Sequence, residues 1–281
     1  MSYVKPGQVV QNMIQAGADK AQLPVHDLLI RGGLAGALLG FGTTLAFTAE
    51  MQTQLGIIGA LFFPACFVII TLLGLELVTG NFILLPLAVF EKKATVKQMM
   101  QNWFWVITGH LLGAALYAVL YVISATHLGT ISGLAVTDKI IAVAEAKTLA
   151  YSVLGSSGLL VVFVKALLCN WMVTLGVVMA MTSQSTIGKI AAMWLPIFMF
   201  FAQGFEHAVV NMFVIPAGML LGADVSTADW LLWNQVPVLF GNLVGGFVFT
   251  GFALYITYAR TEKKDLVLER NYQIKKVSQG G

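Results

Sequence analysis

Glu206 and His207 are adjacent ionisable residues in the segment GFEHAVVNM, which lies within an otherwise apolar run from 191 to 221. An ionisable side chain is costly to keep inside a membrane span, and it is therefore a candidate functional residue. The imidazole of His207 titrates near neutral pH, so it could exchange a proton with a small acid. Adjacent residues do not form the i, i+4 histidine pair of a zinc peptidase, and no nucleophile and base accompany them. The pair therefore predicts that the protein moves a solute across a membrane. It does not predict an enzyme.

The elements around this pair are predicted to be membrane-spanning helices. Hydrophobic residues make up 58% of the chain and charged residues only 10%, which is far from the average of soluble domains. A helix of about 20 apolar residues crosses a bilayer, and several runs of the chain reach that length. The six predicted spans are 28–49, 56–90, 102–126, 156–182, 191–221 and 235–259. The predicted fold class is an all-α integral membrane protein with one channel domain over 28–259.

The basic residues predict that both termini are cytoplasmic. Of the 16 Lys and Arg, the side opposite the termini holds only Lys139 and Lys147, and Lys165 falls within a span. Basic residues concentrate on the cytoplasmic side of membrane proteins, so we expect a multi-pass protein of a bacterial inner membrane. Residues 1–27 are predicted to form a cytoplasmic amphipathic segment that can lie on the membrane surface, and 260–281 a cytoplasmic basic tail.

Cofactors, metals and nucleic acids are not expected as partners. Cys66 and Cys169 fall within spans, with a spacing that suggests neither a disulfide nor a metal site. The basic residues neither cluster with base-stacking aromatic side chains nor lie on a soluble domain, which argues against binding of nucleic acid. The partner that the composition does predict is the lipid bilayer.

The chain contains an internal repeat. The segments GLELVTGNF and GFEHAVVNM both read Gly-x-Glu, and both place an Asn five residues after the Glu. The next predicted span of each half adds GHLLG and GNLVG, so that offsets of 130 and 132 residues align the two halves. Each half, about 28–126 and 156–259, holds three spans. Because three is odd, the second half crosses the membrane in the opposite direction, and inverted repeats with broken helices are typical of transporters.

Each middle span is predicted to break at its Gly-x-Glu segment. Backbone that leaves a helix within a bilayer needs new hydrogen-bond partners. Four polar side chains of the repeat can supply them and are expected to hold the loops in shape: Glu76, Asn81, Glu206 and Asn211. Lys165 is expected to support this structure by reaching the interface or by pairing with Glu206 or Glu76. The alternative is that Lys165 adds to a positive field around a pore.

Four linked motifs resemble the formate/nitrite transporter family. They are ELVTGN, KALLCNWMV, GFEHAVVNMFVIP and VPVLFGNLVGG, in that order, and the resemblance covers about residues 5–260. It implies an aquaporin-like protomer of six helices, made of two inverted three-helix repeats with broken second and fifth helices. It also implies a homopentamer with one pore through each subunit.

The resemblance further implies roles for individual residues. The family's substrate-binding positions match, in this chain, Thr79, His207, Asn170, Asn242 and Lys147. The first two match the central pair of the pore, and Lys147 matches a lysine that draws anions into the outer vestibule. The pore constriction is assigned to Phe63, Phe200, Leu77 and Val78. In formate channels the loop that breaks the second span can plug the pore, and it often carries a Phe at the position of Val78. The smaller side chain of Val78 puts this plugging role in question.

The predicted function is passage of a small monovalent weak-acid anion, nitrite or formate. An anion cannot cheaply cross an apolar constriction, whereas its neutral acid can. We therefore expect His207, held by Thr79, to hydrogen-bond the anion and to protonate it directly or through water. Bicarbonate, hydrosulfide and other small monocarboxylates stay open as substrates. A neutral-solute pore of the aquaporin kind is a further alternative, and it would conduct independently of substrate charge and of Lys147.

Overall fold

The computed structural model describes residues 3–259, and the basic tail predicted at 260–281 lies outside the described residues. The chain is helical throughout this range, apart from turns and one isolated β-bridge between Tyr3 and Ser183. The first half contains α1 (Pro6–Ala21), α2 (Val25–Thr53), α3 (Gly56–Phe62), α4 (Pro64–Leu72), α5 (Val78–Phe90) and α6 (Val96–Thr126). The second half contains α7 (Ala135–Ala146), α8 (Leu149–Val153), α9 (Ser156–Met181), α10 (Thr186–Ala202), α11 (Ala208–Leu221), α12 (Thr227–Trp230) and α13 (Val236–Gly246). Three π-helical segments complete the last span, at Leu231–Gln235, Phe247–Phe252 and Tyr255–Ala259.

Six membrane crossings account for most of these helices. Among residues 3–259, four helices are long and apolar enough to cross a membrane: α2, α6, α9 and the continuous run from Thr227 to Ala259. The other two crossings are composed of shorter apolar helices, α3 to α5 in the first half and α10 with α11 in the second. The predicted all-α membrane fold with broken second and fifth spans is thereby confirmed.

Both broken spans are interrupted at the same place in the repeat. α4 and α10 end, and α5 and α11 begin, at positions that are 130 residues apart. Gly74 and Gly204 lie in the interruptions with φ angles of 63° and 64°. A residue with a Cβ adopts this left-handed conformation only at a cost. Glycine at these two positions therefore lets each helix stop and the chain turn before the second half-helix begins.

Glycines bring the long helices of each half into close contact. Gly32 and Gly36 of α2 lie against the main chain of α6 at Val106 and His110. In the second half, Gly241 of α13 lies against the main chain of α9 in the same way. Small residues at a spacing of four let two helix backbones approach each other. This packing fixes the long helices as a frame around the two broken spans.

The structure adds one short helix to each repeat. α1 packs on α5, with Gly17 against the carbonyl group of Leu84, and α7 packs on α11, with Gly218 against Ala144. The apolar face of α1, which includes Met13, is buried against α5 and the end of the last span. This face packs against protein, and the location of α1 at the membrane surface stays a prediction. Each repeat therefore begins before the predicted starts at 28 and 156.

Candidate functional site

Thr79 and His207 meet where the two half-helices begin. Thr79 lies in the first turn of α5, His207 caps the start of α11, and His207 Nε2 lies 3.1 Å from Thr79 Oγ1. Both side chains are buried. Each helix N-terminus carries about half a positive charge from its aligned peptide dipoles. The two residues matched to the family's central pair thus lie together at a point that favours negative charge.

Hydrogen bonds fix which nitrogen of His207 carries the proton. Nδ1 accepts from the backbone N–H of Val210 at 3.3 Å, and a backbone N–H can only donate. Nδ1 therefore carries no hydrogen, and the neutral ring holds its proton on Nε2. Nε2–H in turn donates to Thr79 Oγ1. The site presents a neutral imidazole whose N–H group is directed at Thr79.

His110 holds the start of the first half-helix. Its Nε2 accepts from the backbone N–H of Val78 at 3.0 Å, and its Nδ1 donates to the carbonyl oxygen of Gly32 at 2.7 Å. Both ring nitrogens of His110 therefore have hydrogen-bond partners. The first amide of a helix has no partner within that helix. His110 therefore satisfies a donor that would otherwise be buried without an acceptor.

Asn242 satisfies the first backbone N–H of the second half-helix, α11. Its Oδ1 accepts from the backbone N–H of Ala208 at 2.9 Å. Its Nδ2 donates to the carbonyl oxygens of Ala166 and Glu206 at 2.7 and 2.9 Å. Since the main chain occupies both ends of this amide, the contacts favour a bracing role over the substrate-binding role that the resemblance implies.

Asn170 keeps an unused acceptor beside the central pair. Its Nδ2 donates to the carbonyl oxygens of Thr79 at 3.1 Å and of Asn242 at 2.6 Å. Its Oδ1 is buried and has no hydrogen-bond partner within residues 3–259. Buried polar atoms are seldom left without a partner. This oxygen is therefore suited to accept from a water molecule or from the O–H group of an acid.

Glu76 braces the first break. Its Oε1 accepts from Lys20 Nζ of α1 at 2.5 Å, and its Oε2 accepts from Asn81 Nδ2 at 2.7 Å. Asn81 Nδ2 also donates to Asn102 Oδ1 at 2.8 Å. Asn102 Nδ2 donates in turn to the carbonyl oxygen of Lys20 at 3.1 Å. A closed ring of hydrogen bonds thus ties the first break to α1 and α6.

Glu206 braces the second break with the same residue types. Its Oε2 accepts from Lys147 Nζ and from Asn211 Nδ2, both at 2.8 Å. Asn211 Nδ2 also donates to Asn234 Oδ1, and Asn234 Nδ2 donates to the carbonyl oxygen of Lys147, again at 2.8 Å each. Tyr151 adds a hydrogen bond from its hydroxyl group to Oε1 at 2.7 Å. The second ring therefore repeats the first.

Three members of these rings lie outside the predicted site: Lys20, Asn102 and Asn234. The offset of 132 residues that aligns GHLLG with GNLVG also aligns Asn102 with Asn234, so the sequence held a signal for these two. Lys20 and Lys147 are separated by a different offset, so the repeat alignment does not identify these two lysines as equivalent. Because loss of one partner of a buried ion pair costs about 3–5 kcal/mol, the rings contribute strongly to holding each break in shape.

Phe63 and Phe200 lie together beside His207. The ring centroids of the two phenylalanines are 5.6 Å apart, and the Phe200 centroid lies 5.7 Å from that of the imidazole. The two rings are thus placed where an apolar constriction next to the central pair is expected. Leu77 and Val78 are buried at the first break, and their part in a constriction stays a prediction.

A cavity of about 370 Å³ reaches His207 from the side of α7 and α8, and we call it the vestibule. The charged residues of its lining are Glu50, Lys139, Lys147, Lys165 and Glu206. Its wall next to the central pair includes Phe200 and Phe201. The vestibule therefore joins a lysine-bearing surface to the buried histidine.

The lysines of the vestibule do not pair as the sequence suggested. Two structural roles are expected for Lys165, reaching the interface or pairing with Glu206 or Glu76. The pairing is not formed, because these carboxylates bind other lysines. No carboxylate of residues 3–259 lies within ion-pair distance of Lys165, whose Nζ lies 5.6 Å from the centre of the Tyr151 ring. Lys147, matched to the lysine that draws anions, has its charge balanced by Glu206.

The two cysteines lie in the protein interior. Cys66 and Cys169 are both buried as free thiols, and Cys66 Sγ donates to the carbonyl oxygen of Phe63 at 3.0 Å. In the described part of the chain, no group of three or more His, Cys, Asp or Glu side chains is arranged to hold a metal ion.

A membrane protein with two broken helices that meet at a buried polar pair belongs to the class of membrane transport proteins. The model of one family, described as formate/nitrite transporter, matches residues 7–256, and the chain therefore belongs to this family. Membership confirms the resemblance found in the motifs. It also confirms that the chain is a transporter and not an enzyme.

Relatives and solved structures agree with this assignment. The chain is 34% identical to the uncharacterized transporter YrhG of Bacillus subtilis (strain 168), over 94% of this chain and 97% of the relative. It is 33% identical to the formate channel BtFdhC of Bacillus thuringiensis, over 92% and 98%. A structure described as an FNT family ion channel matches with a TM-score of 0.78 and 26% identity, over 89% and 98%. A pentameric formate channel with formate bound shares the fold, with a TM-score of 0.67 and 23% identity over 83% and 97%.

Proposed function

We propose that this protein carries a small monovalent weak-acid anion, formate or nitrite, across a bacterial inner membrane. The observation that carries the proposal is the buried contact between His207 Nε2 and Thr79 Oγ1 at the junction of two helix N-termini. The name of the Bacillus thuringiensis relative supports formate as a substrate. Bicarbonate, hydrosulfide and other small monocarboxylates have the same charge and remain alternatives of the same class.

The central site supplies both donors and an acceptor. The Nε2–H group of His207 and the hydroxyl group of Thr79 can donate to an anion, and the N-termini of α5 and α11 favour its charge. Asn170 Oδ1 can only accept, so it suits the O–H group of the neutral acid. A site with both functions can bind the anion first and its acid next.

In this proposal the proton reaches the substrate through water. Direct transfer from Nε2 would leave the imidazole without a proton on either nitrogen, because Nδ1 accepts from Val210. Such a ring would be a strongly basic anion. His207 therefore acts as a hydrogen-bond donor that holds the anion until an excess proton from the bulk solvent, relayed through water as hydronium, neutralises it. In this proposal His207 is not the proton source, which differs from the expectation from the sequence that His207 itself protonates the anion, directly or through water.

Phe63 and Phe200 favour passage of the neutral acid over passage of the anion. Transfer of an ion from water to a protein interior costs several kcal/mol even after relaxation. The two rings offer an anion no hydrogen-bond donor that would offset this cost. Protonation at the central site removes the charge before the substrate passes the rings, and transport is thereby linked to pH.

The proposal extends to assembly and orientation. We infer a homopentamer with one pore in each subunit, in keeping with the pentameric formate channel that shares the fold. Both termini are assigned to the cytoplasm because of the positive-inside bias. Exposed apolar side chains on α2 and α6, such as Phe41, Leu112 and Leu116, provide surface for lipid and for neighbouring subunits.

Uptake into proteoliposomes tests the proposed function. Formate and nitrite are compared with formamide, a neutral molecule of similar size, at several external pH values, with protein-free liposomes as the control. Uptake of formate and nitrite is expected to rise as the external pH falls. At pH values above the pKa of the acid, a lower pH converts a larger fraction of each anion into its neutral acid. Formamide uptake is expected to be slow and independent of pH. Equal, pH-independent uptake of all three would contradict the proposal and favour a neutral-solute pore.

A further inference from the structure

We propose that Lys165 is the residue that recruits anions into the vestibule, a role that the family resemblance gives to Lys147. The inference rests on the proposed function and adds to it a binding step outside the central pair. It follows from the charges that line the vestibule, from the position of Lys165 on α9 and from the contact of its ammonium group with Tyr151.

The vestibule lining has one unbalanced charge. Lys139 Nζ lies 2.8 Å from Glu50 Oε1, and this pair is close to neutral for an approaching ion. Lys147 and Glu206 form the second such pair, also at 2.8 Å. Lys165 is the remaining charged side chain of the lining, and no carboxylate among residues 3–259 lies within ion-pair distance of it. The lining therefore carries a net positive charge, and Lys165 is its source.

Lys165 is fixed close to the central pair. Its carbonyl oxygen accepts from the backbone N–H of Glu206 at 3.4 Å, immediately before His207. Asn170 follows Lys165 by five residues on α9, which is about 7.5 Å along an α-helix. Lys165 and His207 line the same cavity, so an anion drawn to Lys165 arrives in the vestibule that reaches the central site.

The surroundings of Lys165 suit recruitment more than tight binding. Its Nζ lies 5.6 Å from the centre of the Tyr151 ring, a contact that can orient an ammonium group without neutralising it. The residue is partly exposed in the vestibule, so its charge stays hydrated in part. A charge of this kind raises the local concentration of anions and releases them readily.

Initial rates of formate uptake, measured against formate concentration and ionic strength, test this role. Lys165→Met is expected to raise the half-saturating concentration about fivefold, the effect of a single charge in a high-dielectric site, and to weaken the salt dependence. The maximal rate should stay close to that of the unaltered protein. The matched control is the double variant Lys139→Met/Glu50→Gln, which removes a lysine but leaves the net charge unchanged. It is expected to keep the half-saturating concentration and salt dependence of the unaltered protein.

Lys165→Cys provides a test within one folded protein, because Cys66 and Cys169 are buried. Modification with a thiosulfonate that attaches an ammonium group is expected to restore the low half-saturating concentration, and attachment of a sulfonate to raise it further. If charge at position 165 has no effect, or if the double variant behaves like Lys165→Met, the role of Lys165 is wrong. Failure of the unaltered protein to transport formate or nitrite would instead contradict the proposed function itself.

Discussion

His110 and Asn242 occupy equivalent positions of the two repeats and have the same structural role, although their side chains differ. Each accepts from the first backbone N–H of a half-helix and donates to a carbonyl oxygen of the neighbouring long helix. The ring of His110 has to be neutral for this, because its Nε2 is an acceptor. A histidine in this role therefore does not need to titrate, and its presence is not a sign of proton transfer.

Substitution of His110 tests this assignment. His110→Asn is expected to preserve thermal stability and formate uptake, because an asparagine makes the equivalent bonds at position 242. His110→Leu leaves the N–H of Val78 buried without an acceptor, which is expected to lower the stability by about 1–3 kcal/mol. Thermal unfolding of the purified protein in detergent measures the difference. Equal destabilisation by both substitutions would show that the hydrogen bonds are not the reason for the residue.

His207 has no polar equivalent in the first half, where the corresponding position of the repeat is Leu77. The braces of the two breaks, in contrast, are matched pairs of Glu and Asn that form the same rings. A residue needed only for the shape of a break would be expected in both halves. The departure from symmetry therefore supports the proposal that His207 serves the substrate.

At the scale of elements, the repeat motifs were sufficient to predict the two breaks. The Gly-x-Glu segments placed them correctly because a helix interruption in a bilayer needs both a residue free to adopt positive φ and polar side chains nearby. The motifs did not predict that α1 and α7 belong to the repeats. These helices are too short and too polar to be found as spans, and Lys20 and Lys147 reach their carboxylates across sequence separations of 56 and 59 residues.

The packing of α2 on α6 leads to a prediction for Gly33 of α2 and Gly113 of α6, which lie next to each other where the two helices meet. A Cβ at Gly113 would collide with the main chain of Gly33, whereas a Cβ at Gly33 would meet its nearest neighbour at 3.5 Å, an ordinary contact. Gly113→Ala is expected to destabilise the protein by about 1–3 kcal/mol through overpacking, and Gly33→Ala to be tolerated. Thermal unfolding and size-exclusion chromatography of both variants check this. Similar behaviour of the two variants would contradict the close approach of these helices.

On the scale of the whole molecule, the inverted repeat produces a site that neither half contains alone. α5 and α11 bring their N-termini together from opposite sides, and the long helices packed through glycine hold them there. The favourable field for an anion belongs to both half-helices, while Phe63 from the first half and Phe200 from the second stand together beside the site. The proposed mechanism therefore places the attraction of the anion next to the apolar rings that exclude its charge.

The most direct test of this account is the pH dependence of formate uptake into proteoliposomes by His207→Asn and His207→Leu, compared with the unaltered protein. Asparagine can still donate a hydrogen bond but does not titrate, so His207→Asn is expected to keep uptake that rises as the external pH falls. His207→Leu is expected to lose roughly ten- to a hundredfold in rate, the equivalent of a hydrogen bond to a charged group. Uptake by His207→Asn without pH dependence would show that the imidazole itself carries the proton, and uptake by His207→Leu at the unaltered rate would contradict the central role of His207.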